Sequence, residues 1–153
     1  MYSKGEAGLL RREFWTRFGQ HMQPLLSAEG GPVNWINYKT GEKGIAFKMD
    51  AGNKKASIAI ELSQKDEGTR HLYFEQFVQL KAILRGILEE EWNWEMNSLD
   101  DLGKSIGRIY TELNNVNVYN KEDWPKLISF FKLRVIALDK FWADAKYSFE
   151  ALR

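Results

Sequence analysis

Two acids and a hairpin raise the first chemical possibility in this sequence. In MDAGNKKASIAIEL, residues 49 to 62, Asp50 stands eleven residues before Glu61, and two acids flanking a β-hairpin can hold Mg²⁺ for phosphodiester cleavage. The strand pattern argues against this pair. Ile45, Phe47 and Met49 alternate on one face, as do Ala56, Ile58, Ile60 and Leu62 in the next run. Matching those faces predicts Met49 opposite Ala56, Phe47 opposite Ile58 and Ile45 opposite Ile60, since a one-residue slip would turn every side chain of a strand over. Asp50 then sits at the turn facing Lys55, and Glu61 lies on the order of 20 Å away. One Mg²⁺, with ligands at about 2.1 Å, cannot span that. The same register puts Glu42 opposite Ser63, diagonal to Glu61 on one face at about 7 Å.

The order helix, three strands, helix, strand resembles the core of the restriction-endonuclease-like superfamily. There an acid early in one strand joins an acid-x-lysine in the next. The resemblance implies Glu42 and Glu61 as catalytic acids of a Mg²⁺-dependent nuclease. The lysine position holds Ser63, and Lys65 stands two residues further on the same face, as does Lys48. The plainer expectation is a set of acids and lysines solvating an exposed sheet face.

Other motifs fall short of chemistry. Gly103-Lys104-Ser105 ends like a phosphate loop, but Ser98 occupies the position of the required earlier glycine, so a turn is expected. The only histidines, His21 and His71, lie far apart with no metal-ligand spacing, and no metal site is predicted. Glu89-Glu90-Glu91 closes a helix where negative charge opposes the dipole, and reads as a solvated face or a contact for a basic partner. Trp92 and Trp94, with Arg108 and Tyr110 on the following strand, form a candidate binding cluster able to stack on bases or hold a peptide. Core packing is the expected fate of both tryptophans.

These residues need a scaffold, and composition bounds it. With 153 residues the chain fits a single domain, 1–153, large enough to fold without a disulfide or metal. It holds no cysteine, which excludes thiol nucleophiles and zinc-cysteine sites and fits a reducing, cytoplasmic setting. No apolar run suits a signal peptide or a membrane span. The 22 Lys and Arg balance 21 Asp and Glu, so no bulk basic excess marks a nucleic-acid binder.

Helical spacing of Leu10, Phe14, Trp15, Phe18, Met22 and Leu25 predicts a first helix over 6–26, weakened by Pro24. Three strand-like runs follow between 33 and 64, with turns at Thr40-Gly41 and Gly52-Asn53. A second helix extends to about residue 91, with Asp66 or Thr69 as its N-cap. EWNWEM and IGRIYTEL supply two more strands, and a long helix runs from about Asp123 to Leu152. The expected class is α+β, ordered α-β-β-β-α-β-β-α, with a mainly antiparallel sheet. In the last helix Trp124, Ile128, Phe131, Val135, Leu138, Trp142, Ala145, Phe149 and Leu152 make a seam of period 3.5. Thirty residues of helix would run about 45 Å, against a domain diameter of roughly 38 Å. The seam is expected mainly to pack on its own domain. Its distal part (Trp142, Phe149, Leu152) is the candidate interface for a homo-oligomer.

The motifs NWINYKTG, KGIAFKMDA, KKASIAIEL, EWNWE, RIYTEL, NVNVYNKEDWP, SFFKLRVIALDKFW and KYSFEALR together resemble the bacterial domain-of-unknown-function family 4268, essentially end to end. Longer similar members carry a nuclease-like domain, which implies a DNA-processing or defence setting but no catalytic residues to carry over. The expected function is therefore a non-catalytic binding or assembly module with no cofactor, a protein or nucleic-acid partner and no membrane association. A divergent nuclease using Mg²⁺ is the alternative.

Overall fold

A computed structural model describes residues 3–153. Ser3 opens helix α1 (Lys4–Met22) by accepting the Glu6 N–H on its side chain, and Phe14, Phe18 and Met22 form its buried stripe. The helix stops two residues before Pro24. The 33–38 run makes no strand. Asn34 accepts the Ile36 and Asn37 N–H groups on its side-chain oxygen, bending the chain where a ladder would need it straight.

The sheet is antiparallel, built from β1 (Ile45–Ala51), β2 (Lys55–Leu62), β3 (Asn93–Leu99) and β4 (Ser105–Asn114) in the order β1-β2-β4-β3. In the β1–β2 hairpin Ala51 pairs with Ala56, Met49 with Ile58 and Phe47 with Ile60. That is two residues away from the register expected from alternation. Both strands continue further into the turn, closed by Gly52 N–H donating to the Lys55 carbonyl. A shift of two preserves which side chains face the core.

Between the hairpins lie α2 (Glu67–Gln79) and α3 (Lys81–Leu88), where one helix was expected; the chain turns at Leu80, whose N–H reaches back to Phe77. Asp66 caps α2 through Thr69. The α+β class, the antiparallel sheet and the long last helix all hold, in the order α-β-β-α-α-β-β-α. α4 (Trp124–Ala145) has 22 residues and runs directly into a 3-10 helix, Lys146–Leu152, which packs against α2 and buries Phe149.

One sheet face meets α2 and α4. Leu62, Gly107 and Phe74 converge there, and a Cβ on Gly107 would come within 3.3 Å of the Phe74 ring. Among the described residues no helix is long and apolar enough to cross a membrane.

Candidate functional site

The turn Thr40–Gly44 builds part of the larger of two charged clefts. Gly41 and Gly44 have φ of +77° and +86°, a conformation that side chains resist, so the chain doubles back on either side of Glu42. Thr40 fixes the turn from inside: its hydroxyl donates to the Ile45 carbonyl at 2.7 Å and accepts the Glu42 N–H at 3.2 Å. The Trp142 indole N–H donates to the Thr40 carbonyl at 2.7 Å. Glu42 is thereby aimed inward, with its side chain only 4% exposed. Its Oε1 accepts the Tyr73 hydroxyl at 2.9 Å and its Oε2 the Arg153 Nε–H at 2.9 Å. Burial, and then the neighbouring Glu42 carboxylate, raise the Tyr73 phenol above its usual range.

These groups wall a cleft of about 750 Å³ that also takes in Gln64, Lys65 and Asp66. Gln64 packs so tightly on Gly44 that a Cβ there would lie 2.8 Å from the Gln64 amide carbon. Among the described residues, neither the amide nitrogen nor the amide oxygen of Gln64, both buried, has a hydrogen-bond partner. Such groups cost about 1–3 kcal/mol each when unmet, so this amide is an expensive thing to place in a cleft wall. Behind it, buried Arg70 donates to the Gln64 carbonyl at 2.8 Å.

The second cleft, about 510 Å³, lies on the sheet face turned away from the helices. Ala59 is its floor; Lys48, Asp50, Glu61 and Arg108 stand around it, and the β3–β4 tip with Leu99 and Leu102 overhangs it. Arg108 sits 4.0 Å from Glu61 and stacks 4.0 Å above the Tyr110 ring. Burial raises the Glu61 carboxyl; Arg108 and Lys48 oppose that, and Asp100 and Asp101 add to it. A raised folded pKa means that the protonated form favours folding. The stabilisation is complete below the ordinary value of 4.5 and lost as pH rises through the folded value. Glu61→Gln, fixed in the neutral form, is therefore expected to denature at higher urea than wild type at pH 7, the two converging at acid pH. Equal midpoints at pH 7 would refute the desolvation account of Glu61.

The sequence-derived sites are rearranged by this geometry. Glu42 and Glu61 do not converge: they line separate clefts with no lining residue in common, and Lys65 belongs with Glu42. Glu42 lies in the turn before β1, where the doubled-back chain directs it under the sheet edge toward Tyr73. Asp50 does share a cleft with Glu61, yet Glu61 pairs with Ala46, four residues along β1 from Asp50, a distance of about 13 Å. Asp50 meets Arg11 at 3.6 Å, while Lys55 pairs with Glu112 at 2.8 Å. Among the described residues no three His, Cys, Asp or Glu side chains are grouped to hold a metal ion.

Trp92 and Trp94 part company with Arg108 and Tyr110. Trp94 pairs with Ile109 and packs edge-on against Phe74, whereas Glu95 pairs with Arg108 on the opposite face. Trp92 is buried and donates to Glu90, which also takes the Arg134 guanidinium at 2.8 and 3.0 Å. The basic group that meets the glutamate run is thus within the chain. Trp142 and Phe149 are core residues, and only Leu152 of the three interface candidates is partly exposed. Sequence reasoning missed Gln64, Tyr73 and Arg153. The one signal for them was an acid with a glycine on either side in TGEKG, which marks a turn built to aim a side chain.

Neither a curated protein nor a solved structure matches the chain. The profile of one family, described as a domain of unknown function (DUF4268), matches residues 10–146, which include the Thr40–Gly44 turn, both hairpins and all of α4. The chain belongs to the DUF4268 family.

Proposed function

We propose that this domain is a non-catalytic binding module and that the Glu42 cleft is its binding site. One observation carries the reading: a carboxylate only 4% exposed, held by a pre-shaped turn, opens on a cleft of about 750 Å³. Burying a carboxylate is unfavourable unless its partners repay the lost hydration. A fixed acceptor in a concave wall is what ligand recognition uses to set orientation. Turnover would need more. Neither histidine lines the cleft, so Ser63 and Thr69 have no imidazole base, and Glu61, the acid that a nuclease mechanism would add, lines the other cleft. The cysteine-free composition supports a cytoplasmic setting for this module.

A ligand screen tests the reading. Protein-observed NMR with pooled amino-acid amides, polyamines, nucleotides and sugar phosphates is expected to find ligands that shift the Tyr73 and Gln64 signals. Those shifts are expected to disappear in Glu42→Gln, which stays folded because its amide oxygen still accepts from Tyr73. Hits that survive Glu42→Gln unchanged, or a screen with none, would count against the site.

A further inference from the structure

Resting on the Glu42 cleft as the binding site, we infer that its ligand is the guanidinium of a peptide arginine, and that Arg153 occupies the place in cis. The two partners of this ion pair are unequally held. The Glu42 side chain is 4% exposed and that of Arg153 59% exposed, so the carboxylate belongs to the wall and the arginine reaches it from outside. Arg70 provides the internal contrast. It is a framework arginine of α2, 5% exposed, and it donates to the Gln64 backbone carbonyl in the loop before that helix.

The acceptors in the cleft outnumber what Arg153 uses. A guanidinium offers five N–H donors in a planar fork, and only the Arg153 Nε–H is engaged by Glu42. Tyr73 holds Oε1, fixing the carboxylate plane. The Gln64 amide, with both polar atoms buried and unpartnered among the described residues, lines the same cleft. Once the side chain turns from Gly44 into the cleft, its oxygen suits a second guanidinium N–H, and its nitrogen suits a carbonyl, which a peptide backbone brings with the arginine. Exchanging the amide oxygen and nitrogen leaves the same one donor group and one acceptor.

The wall is also rigid and partly apolar. Tyr73 stacks on Phe149 at 5.8 Å with an angle of 20° between rings, and Leu152 lines the cleft where the methylenes of an arginine stem would lie. Lys43, Lys65 and Asp66 stand at the mouth, all exposed. The two lysines oppose a bare cation, with Asp66 offsetting one of them. They select for an arginine flanked by an acidic residue.

The 153-residue chain carrying Arg153→Ala tests this, with N-acetyl-arginine-methylamide as probe and the Tyr73 and Gln64 NMR signals as readout. The variant is expected to bind the probe at least tenfold more tightly than wild type, because the competitor in cis is gone. N-acetyl-lysine-methylamide is expected to bind at least tenfold more weakly, since a compact ammonium cannot reach Glu42 and Gln64 together. Adding Glu42→Gln to the variant is expected to abolish binding. Arg153→Gln, which keeps a polar stem against Leu152, serves as the second variant if alanine there impairs folding. Folded variants that bind the arginine probe no better than wild type would overturn the occupancy in cis. Preferential binding of the lysine probe or of inorganic phosphate at these signals would overturn the guanidinium and leave the cleft as a site. No shift from any probe would remove both.

Discussion

Trp142→Ala is expected to lower unfolding free energy by about 3–5 kcal/mol, the range for emptying a large aromatic site in a core. The indole is 2% exposed and lies among Phe47, Phe77 and Phe149, with ring centroids 6.1, 6.4 and 5.4 Å away. Alanine leaves a cavity that such a layer of rings closes only in part, and it strands the Thr40 carbonyl that the indole N–H served. Urea denaturation measures the loss. The same variant separates core from interface: truncating an interface residue would change the mass seen by light scattering, whereas truncating a core residue lowers the midpoint at unchanged mass. A wild-type midpoint for Trp142→Ala would contradict its burial.

Asp139→Ala is expected to cost a similar amount, about 3–5 kcal/mol, for a different reason. Buried Asp139 accepts the Tyr38 hydroxyl at 2.5 Å and the Ala28 N–H at 2.7 Å. Hydrogen bonds to a charged acceptor contribute about 1.5–3 kcal/mol each, and alanine removes both while leaving the donors in place. A pH dependence accompanies this. Burial, then the Asp139 carboxylate, push the Tyr38 phenol far above its ordinary value of 10.0, so the folded chain keeps a proton that the unfolded chain releases. That stabilisation is complete below about pH 10 and is lost as pH rises beyond it, by at most about 1.4 kcal/mol per pH unit and less where solvent screens the ring. Tyr38→Phe is expected to make the decline between pH 9 and 11 shallower, the residue coming from Tyr73 and Tyr110, whose phenols are also raised. An unchanged slope in Tyr38→Phe would show that the phenol is not held this way.

What the sequence made legible follows the range of the interactions concerned. Alternation within β1 and β2 assigned the inward residues correctly, because that pattern is local; the register missed by two, because the turn decides it. The helix-spaced seam of α4 was equally visible. Where it points was not, since nothing local to the seam shows that its distal end meets α2, where Phe149 lies between Tyr73 and Phe77. Trp94 and Arg108 could not be sorted to opposite faces by alternation within each strand, because that depends on which residue lies across the ladder. Glu42 was nominated as a companion for Glu61. Its actual companions, Tyr73 and Arg153, lie 31 and 111 positions away, a separation that no local pattern encodes.

The segment between α1 and β1 has no regular structure of its own, and three of the hydrogen bonds that fix it come from far along the chain. Ala28 and Tyr38 are tied to Asp139 across 111 and 101 positions, and Thr40 to Trp142 across 102. Closing loops of that length is entropically slow work, done after local helices and hairpins exist. During synthesis the turn that aims Glu42 therefore lacks its Trp142 N–H donor until α4 has been made. The hairpins and the turn's own Thr40 hydrogen bonds can form early; the cleft is completed only when residues translated about a hundred positions later fold back over it.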